Sequence, residues 1–142
     1  MKGILIGGLL PALLYSFSAT LQKASTRAGI GMALLMVFVS AGVFIASCAM
    51  YFVMPDSTVN IRSALYAMAL GVCWCLGTGA VGLALVRYNV PLSKLVPLYN
   101  MNTLITVIFG LIVFMEWKQV DKIQLIAGAI LVVVGGIMVA KA

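Results

Sequence analysis

Five long apolar runs, separated by short polar segments, set the pattern of the chain. An α-helix rises about 1.5 Å per residue, so about 20 apolar residues cross the hydrocarbon core of a bilayer. Each run is long enough to do so. The pattern therefore predicts an all-helical transmembrane bundle, a single five-helix domain over residues 1–142. Its predicted spans are residues 4–22, 28–54, 64–86, 95–115 and 123–140.

Two interpretations of the first run are open. Lys2 followed by an apolar stretch is typical of a cleaved secretory signal. No soluble segment follows for such a signal to export, however, and Pro11, Tyr15, Ser18 and Gln22 recur at steps of four, three and four residues, as one helix face does. We therefore expect a retained span, kinked at Pro11 because proline removes a backbone donor.

Short polar segments predict where the other spans begin and end. Lys23 and Arg27 mark a first loop. The second run is long enough to tilt in the bilayer before the segment at 55–57 ends it. We expect Asn60 to cap the third helix and Asp121 the fifth, because short side-chain acceptors satisfy the free N–H groups of a first helical turn.

The fourth run combines an uncharged stretch with a polar face. No charged residue lies within 95–115. Asn102, Thr103 and Thr106 follow Tyr99 by three, four and seven residues, which is the spacing of one helix face. Lipid does not tolerate such a face, so it is expected to look into protein or a water-filled cavity.

Two other sets of polar residues lie inside spans. Trp74 and Thr78 are one helical turn apart near the middle of the third span, where a tryptophan either forms a cavity wall or packs between helices. Ser40, Ser47 and Tyr51 share a face of the second span. For these serines, packing against a neighbouring helix is favoured over ligand binding.

Composition fixes the class of protein. Hydrophobic residues make up 64% of the chain and charged residues 8%, against about 45–50% and 25% in soluble proteins. The chain is thus expected to be an integral membrane protein. Its net charge of +6 comes from basic residues scattered between the apolar runs, which favours contact with lipid headgroups over nucleic acid.

Metal and cofactor chemistry is not expected. The chain has no histidine, and its cysteines, Cys48, Cys73 and Cys75, all lie in apolar runs. Cys73 and Cys75 are two residues apart and point to different sides of a helix, so they cannot share one ligand geometry there. We interpret the cysteines as packing residues and predict neither a metal site nor a cofactor.

The loop charges give little bias in orientation, because five spans divide the basic residues almost evenly between the two sides. One side carries Lys2, Arg62, Lys118 and Lys122, and the other carries Lys23, Arg27, Arg87, Lys94 and Lys141. The chain is compatible with insertion in both orientations.

A series of residues, mostly in the last three spans, follows a family-like order. They are Tyr15, Ser16, Lys23, Gly71, Trp74, Gly77, Ala84, Pro91, Ser93, Pro97, Asn100, Gly110, Glu116, Gln124, Gly128 and Gly135. Their order resembles the repeat unit of the EamA-like drug/metabolite transporter superfamily. The resemblance implies one half of a ten-span protein of the inner membrane, built from two inverted five-span halves that move small organic solutes. The second half would come from an antiparallel copy or from another five-span chain.

One difference from related transporters limits the class of solute that we expect the chain to move. The related small multidrug resistance proteins carry an acidic residue in their first span, whereas no Asp or Glu lies within a predicted span here. Glu116 stands at a span boundary, where anchoring or helix pairing is favoured over substrate contact. A buried carboxylate is costly and is kept for a purpose, so its absence makes proton-coupled export of cations unfavoured.

Three classes of function remain in view. The first is a transporter of an uncharged or zwitterionic metabolite, with a midplane cavity in a dimer. Its expected lining residues are Tyr99, Asn102, Thr103, Thr106, Trp74, Thr78, Tyr15 and Ser18. The second is a non-transporting subunit that pairs with another five-span chain, or half of a lipid-linked sugar flippase. The third, an enzyme, is not expected, because neither a histidine nor an embedded acid is present.

Overall fold

A computed structural model describes residues 3, 5–54, 58–118 and 120–141. Within these ranges all regular structure is helical, and five segments are long and apolar enough to span a membrane. They are Leu5–Arg27, Met32–Val53, Ile61–Arg87, Leu92–Val113 and Ile123–Lys141. The predicted all-helical class is therefore confirmed, and the five helices are compatible with a multi-pass membrane protein by length and apolarity. The helices form two compact units, Met1–Asn89 and Val90–Ala142, and the single five-helix domain stays a prediction.

The first unit contains three long helices. They are α1 (Leu10–Arg27, preceded by a π turn at Leu5–Leu9), α2 (Met32–Val53) and α3 (Ile61–Arg87). Pro11 stands in the first turn of α1, where its missing N–H costs no α-helical bond. The proline thus marks a change from π to α winding inside the first span.

The first loop lies later than the sequence analysis placed it. Lys23 and Arg27 belong to α1, so the loop prediction for these two residues is wrong. Nothing before Ala28 breaks the helix, and Gly29, with a φ of 91°, turns the chain towards α2. Long basic side chains at the end of a membrane helix commonly extend to the headgroup region, so this placement is compatible with a span. The predicted stop signal at 55–57 lies outside the described residues.

Both predicted helix caps are confirmed. Asn60 Oδ1 accepts a hydrogen bond from the Arg62 N–H at 3.0 Å, and Ser63 Oγ accepts one from the Asn60 N–H at 3.2 Å, which completes a capping box. Asp121 Oδ1 accepts from the N–H groups of Ile123 and Gln124 at 3.0 and 3.2 Å. These caps fix the starts of the third and fifth spans.

The second unit contains a divided span and one long helix. Its elements are α4 (Leu92–Tyr99), α5 (Asn102–Val113), a 3-10 turn (Glu116–Lys118) and α6 (Lys122–Lys141). The long helix α6 packs mainly against α4, and α5 packs on the 3-10 turn that follows it.

Candidate functional site

The fourth span is interrupted in the middle. Its first helix ends at Tyr99, its second begins at Asn102, and a two-residue turn at 100–101 joins them. Pro97, inside α4, has no N–H and its ring crowds the preceding turn, which weakens the helix just before the break. The predicted fourth span is therefore confirmed at Leu92–Val113, but its α-helix is not continuous, because the α winding is interrupted at 100–101.

The turn is wound as a 3-10 helix. The N–H groups of Met101, Thr103 and Leu104 each donate to the carbonyl three residues back, at 3.2, 3.1 and 3.1 Å. An α-helix would have directed the first two to the carbonyls of Pro97 and Tyr99. The break thus releases these two carbonyls from their α-helical bonds.

The predicted polar face flanks this turn. Tyr99 is the last residue of α4 and is 37% exposed, whereas Asn102, Thr103 and Thr106 are exposed on α5. The face is thus divided between two helices instead of lying on one. Residues three apart are eclipsed in a 3-10 turn, which keeps Tyr99 and Asn102 on one side of the span.

Two of these four side chains make hydrogen bonds to the local backbone, and two do not. Thr103 Oγ1 donates to the Asn100 carbonyl at 2.9 Å, and Thr106 Oγ1 donates to the Asn102 carbonyl at 3.1 Å. The Asn102 carboxamide and the Tyr99 hydroxyl make no hydrogen bond to any residue that the structure describes. An amide donor, an amide acceptor and a phenol therefore remain available inside a membrane span.

The first unit holds a second candidate region, a groove of about 310 Å³ between α2 and α3. Trp74 forms part of its wall and is 44% exposed. The lining residues are Ser40, Val43, Phe44, Ser47, Gly71, Trp74 and Cys75. The structure thus joins the predicted Trp74 to two serines that the sequence analysis assigned to packing.

The groove is largely apolar in its chemistry. Ser40 Oγ and Ser47 Oγ donate to the carbonyls of Met36 and Val43 in their own helix, both at 2.8 Å. Only their oxygen lone pairs remain for a partner, together with the indole N–H of Trp74. This groove suits a mostly apolar group with few polar atoms.

The remaining predicted residues lie outside that groove. Tyr15 and Ser18 are exposed on α1, and Thr78 is half-buried on α3. The Thr78 carbonyl accepts a hydrogen bond from Gln22 Nε2 at 3.0 Å. Thr78 therefore belongs to a contact between helices α1 and α3, whereas Trp74 lines the groove between α2 and α3.

The sequence did not show which glycine of the third span lies at the point where α1, α2 and α3 meet. It is Gly82, which is buried: a Cβ there would overlap Met32 Cε and lie 3.0 Å from Gln22 Nε2. The only sequence signal was the presence of a glycine in the third span, a signal shared by Gly71, where a Cβ would meet nothing within 4 Å.

No metal centre is evident in the described ranges, where no cluster of three or more His, Cys, Asp or Glu residues occurs. Comparison with protein-family models, with curated proteins and with solved structures finds no match for this chain. The chemistry of the two candidate regions must therefore be judged from their own side chains. Carboxamide, phenol, hydroxyl and indole groups bind uncharged or zwitterionic molecules through hydrogen bonds.

Proposed function

We propose that this chain is a half-length transporter of the EamA-like drug/metabolite transporter superfamily, which moves a small organic metabolite across the inner membrane. In this proposal it works as a dimer of inverted five-span halves. A second copy, inserted in the opposite orientation, supplies the other half, since the loop charges hardly favour one orientation. A second five-span chain is the alternative partner.

The observation that carries the proposal is the uncommitted Asn102 carboxamide beside a broken span. An exposed amide in a membrane helix needs a polar partner or a water-filled cavity. Helices that break in mid-span and release backbone carbonyls are typical of substrate sites in secondary transporters. Tyr99, Thr103 and Thr106 lie within four residues of Asn102 on the same stretch.

The type of solute follows from the neutral chemistry of this stretch. Hydrogen-bonding groups without a formal charge favour an uncharged or zwitterionic solute over a cation. Without an embedded carboxylate, we propose facilitated diffusion or exchange along a gradient, and not proton-coupled drug export.

The first experiment tests the site by solute counterflow. The purified chain is reconstituted in liposomes and assayed with ¹⁴C-labelled alanine, betaine and glucose, and with ethidium as a cationic probe. We expect counterflow of at least one of the three labelled solutes and none of ethidium. Loss of a hydrogen-bonding partner typically costs 1–3 kcal/mol, so Asn102→Leu should reduce counterflow about fivefold or more.

Ile105→Leu is the matched control, because Ile105 is an exposed apolar residue of the same helix. It should transport like the wild type, and both variants should keep the oligomeric state of the wild type. Unchanged counterflow by Asn102→Leu would show that the site assignment is wrong.

A second experiment tests the inverted dimer in cells. Reporters active only inside or only outside the cytoplasm are fused after residue 142. Strong signals from both support two insertion orientations and an antiparallel homodimer. A signal from one reporter alone contradicts the homodimer and directs the search to a different five-span chain, for which copurification is the assay.

A further inference from the structure

The two halves of the fourth span relate differently to α6. The first half, α4, packs along α6. The second half, α5, is separated from it by a groove of about 310 Å³ whose walls are entirely aliphatic. The lining residues are Leu104, Val107, Ile108, Leu111, Leu125, Ile126, Ala129, Ile130, Val133 and Val134.

The boundary between the packed half and the separated half lies at one glycine. Gly136 of α6 is buried, and a Cβ there would lie 3.3 Å from Met101 Cγ, 3.4 Å from Met101 Sδ and 3.4 Å from the Pro97 carbonyl oxygen. Met101 belongs to the 3-10 turn, and Pro97 supplies one of the carbonyls that the turn releases. The turn therefore sits against α6 where α6 has no side chain.

We propose that Gly136 is the positioning residue of a hinge in the fourth span. It holds α4 and the turn at 100–101 against α6, while α5 swings about the turn and opens or closes the aliphatic groove. This inference rests on the proposed function, because the moving helix carries Asn102 and would present its carboxamide in alternating directions.

Three structural features favour bending at this turn. The 3-10 bonds have poorer geometry than α-helical bonds, and two carbonyls are already released, so fewer α-helical bonds resist the bend. Pro97 lies just before the turn, where helices commonly bend. The loop from α5 to α6 has its own sharp turn, with Met115 at a φ of 54°, so the far end of α5 is not held in a helix continuous with α6.

The experiment measures distances within the second unit. The native cysteines, Cys48, Cys73 and Cys75, are replaced by alanine, and spin labels are attached to pairs of new cysteines in nanodiscs. One pair joins α5 to α6, Phe109→Cys with Leu131→Cys. The other joins α4 to α6, Leu98→Cys with Met138→Cys. All four positions are exposed, and labelled protein is diluted with unlabelled protein so that only distances within one chain are read.

The hinge predicts a broad or two-peaked distance distribution for the α5 pair and a single narrow peak for the α4 pair. Equally narrow single peaks for both pairs would overturn it, because α5 would then be fixed against α6.

Gly136→Val tests the role of the glycine. The added side chain displaces the turn, so the α4 pair should broaden to the width of the α5 pair. Gly135→Val is the matched control, since a Cβ at Gly135 meets nothing within 4 Å. Met101→Ala added to Gly136→Val makes room for the new side chain, and should restore the narrow peak and rescue the fold if the single variant is unstable. Equal effects at positions 135 and 136 would overturn the positioning role.

The outcome separates the hinge from transport. Two distances for the α5 pair in a chain that moves none of the labelled solutes would support the hinge and count against the proposed function. One fixed distance in a chain whose counterflow is lost in Asn102→Leu would overturn the hinge and leave the proposed function standing.

Discussion

The two units of the chain use the same contact in different ways. In each, a buried glycine faces a methionine: a Cβ at Gly82 would overlap Met32 in the first unit, and a Cβ at Gly136 would make a tight contact with Met101 in the second. In the first unit both partners lie on continuous helices, whereas Met101 lies in a break. The same type of contact therefore packs continuous helices together in the first unit and positions a turn against a helix in the second.

A hydrogen bond between helices adds to this difference. Gln22 of α1 donates to the Thr78 carbonyl of α3, beside Gly82, whereas the Thr103 and Thr106 hydroxyls of the second unit donate to backbone carbonyls three and four residues back. Helices in lipid associate through packing and such bonds, since burial from water no longer drives them together. The helix contact at Gly82, the first crossing, is therefore expected to be rigid. The contact between α6 and the turn at Gly136, the second crossing, is expected to deform more easily.

The largest effect is expected from overfilling the first crossing. Gly82→Val should destabilise the protein by about 2 kcal/mol, because the new side chain overlaps Met32 and displaces Gln22. Gly77→Val, on the same helix with nothing within 4 Å, should cost less than about 0.5 kcal/mol. Reversible unfolding in bicelles measures both.

Met32→Ala provides the check on this prediction. The methionine end is flexible, so the double variant should recover most of the loss if the overlap causes it. An equal loss in Gly82→Val and Gly77→Val would contradict the crossing at Gly82.

The two helix caps should give equal effects in the two units. Asn60→Ala and Asp121→Ala each remove an acceptor for first-turn N–H groups, at a cost of about 1 kcal/mol. Asn60→Asp and Asp121→Asn keep an acceptor and serve as controls in the same unfolding assay. Markedly unequal costs would mean that the units differ in more than their crossings.

Adjacent glycines of α6 should respond differently to alanine. Gly135→Ala should stabilise the helix by about 1 kcal/mol, the usual difference in helix propensity. At Gly136 the gain should be cancelled by the tight contacts to Met101 and the Pro97 carbonyl. Thermal unfolding in detergent measures the difference, and equal stabilisation by the two variants would argue against a close contact at Gly136.

The smallest effect is expected from the interhelical hydrogen bond. Gln22→Leu should cost about 0.6 kcal/mol, the average for such bonds in membrane proteins. Thr20→Val is the control, because the Thr20 hydroxyl donates only to the Ser16 carbonyl of its own helix. If Gln22→Leu lowers the stability no more than Thr20→Val does, the hydrogen bond contributes nothing measurable, and packing alone holds the helices together at Gly82.

Local features of the sequence predicted most of the fold. The five spans follow from apolar length, and Asn60 and Asp121 cap as expected because a cap involves only residues of the same turn. The end of α1 was misjudged because Lys23 and Arg27 are compatible with both a loop and a helix end. The break was missed because the uncharged run continues through 100–101, and its local signs, Pro97 and Asn100, are also tolerated within a transmembrane helix.

The candidate site was harder to predict, for a non-local reason. The spacing of Tyr99 and Asn102 identified the polar stretch, but the sequence could not show that a turn divides it. Nor could the sequence distinguish Gly82 and Gly136 from Gly135, which has nothing within 4 Å of a Cβ. The difference depends on whether a methionine from a distant part of the sequence packs against the glycine. The pairing of Trp74 with Ser40 and Ser47 likewise depends on how two helices meet.

The turn at 100–101, the glycine that it contacts (Gly136) and the aliphatic groove all lie in one contiguous stretch, Val90–Ala142. Gene duplication or fusion that copied this stretch would carry the complete bending element with it, without help from the preceding helices. A larger protein assembled from such copies would therefore inherit one hinge per copy. Loss of the glycine in one copy would disable the hinge of that copy alone.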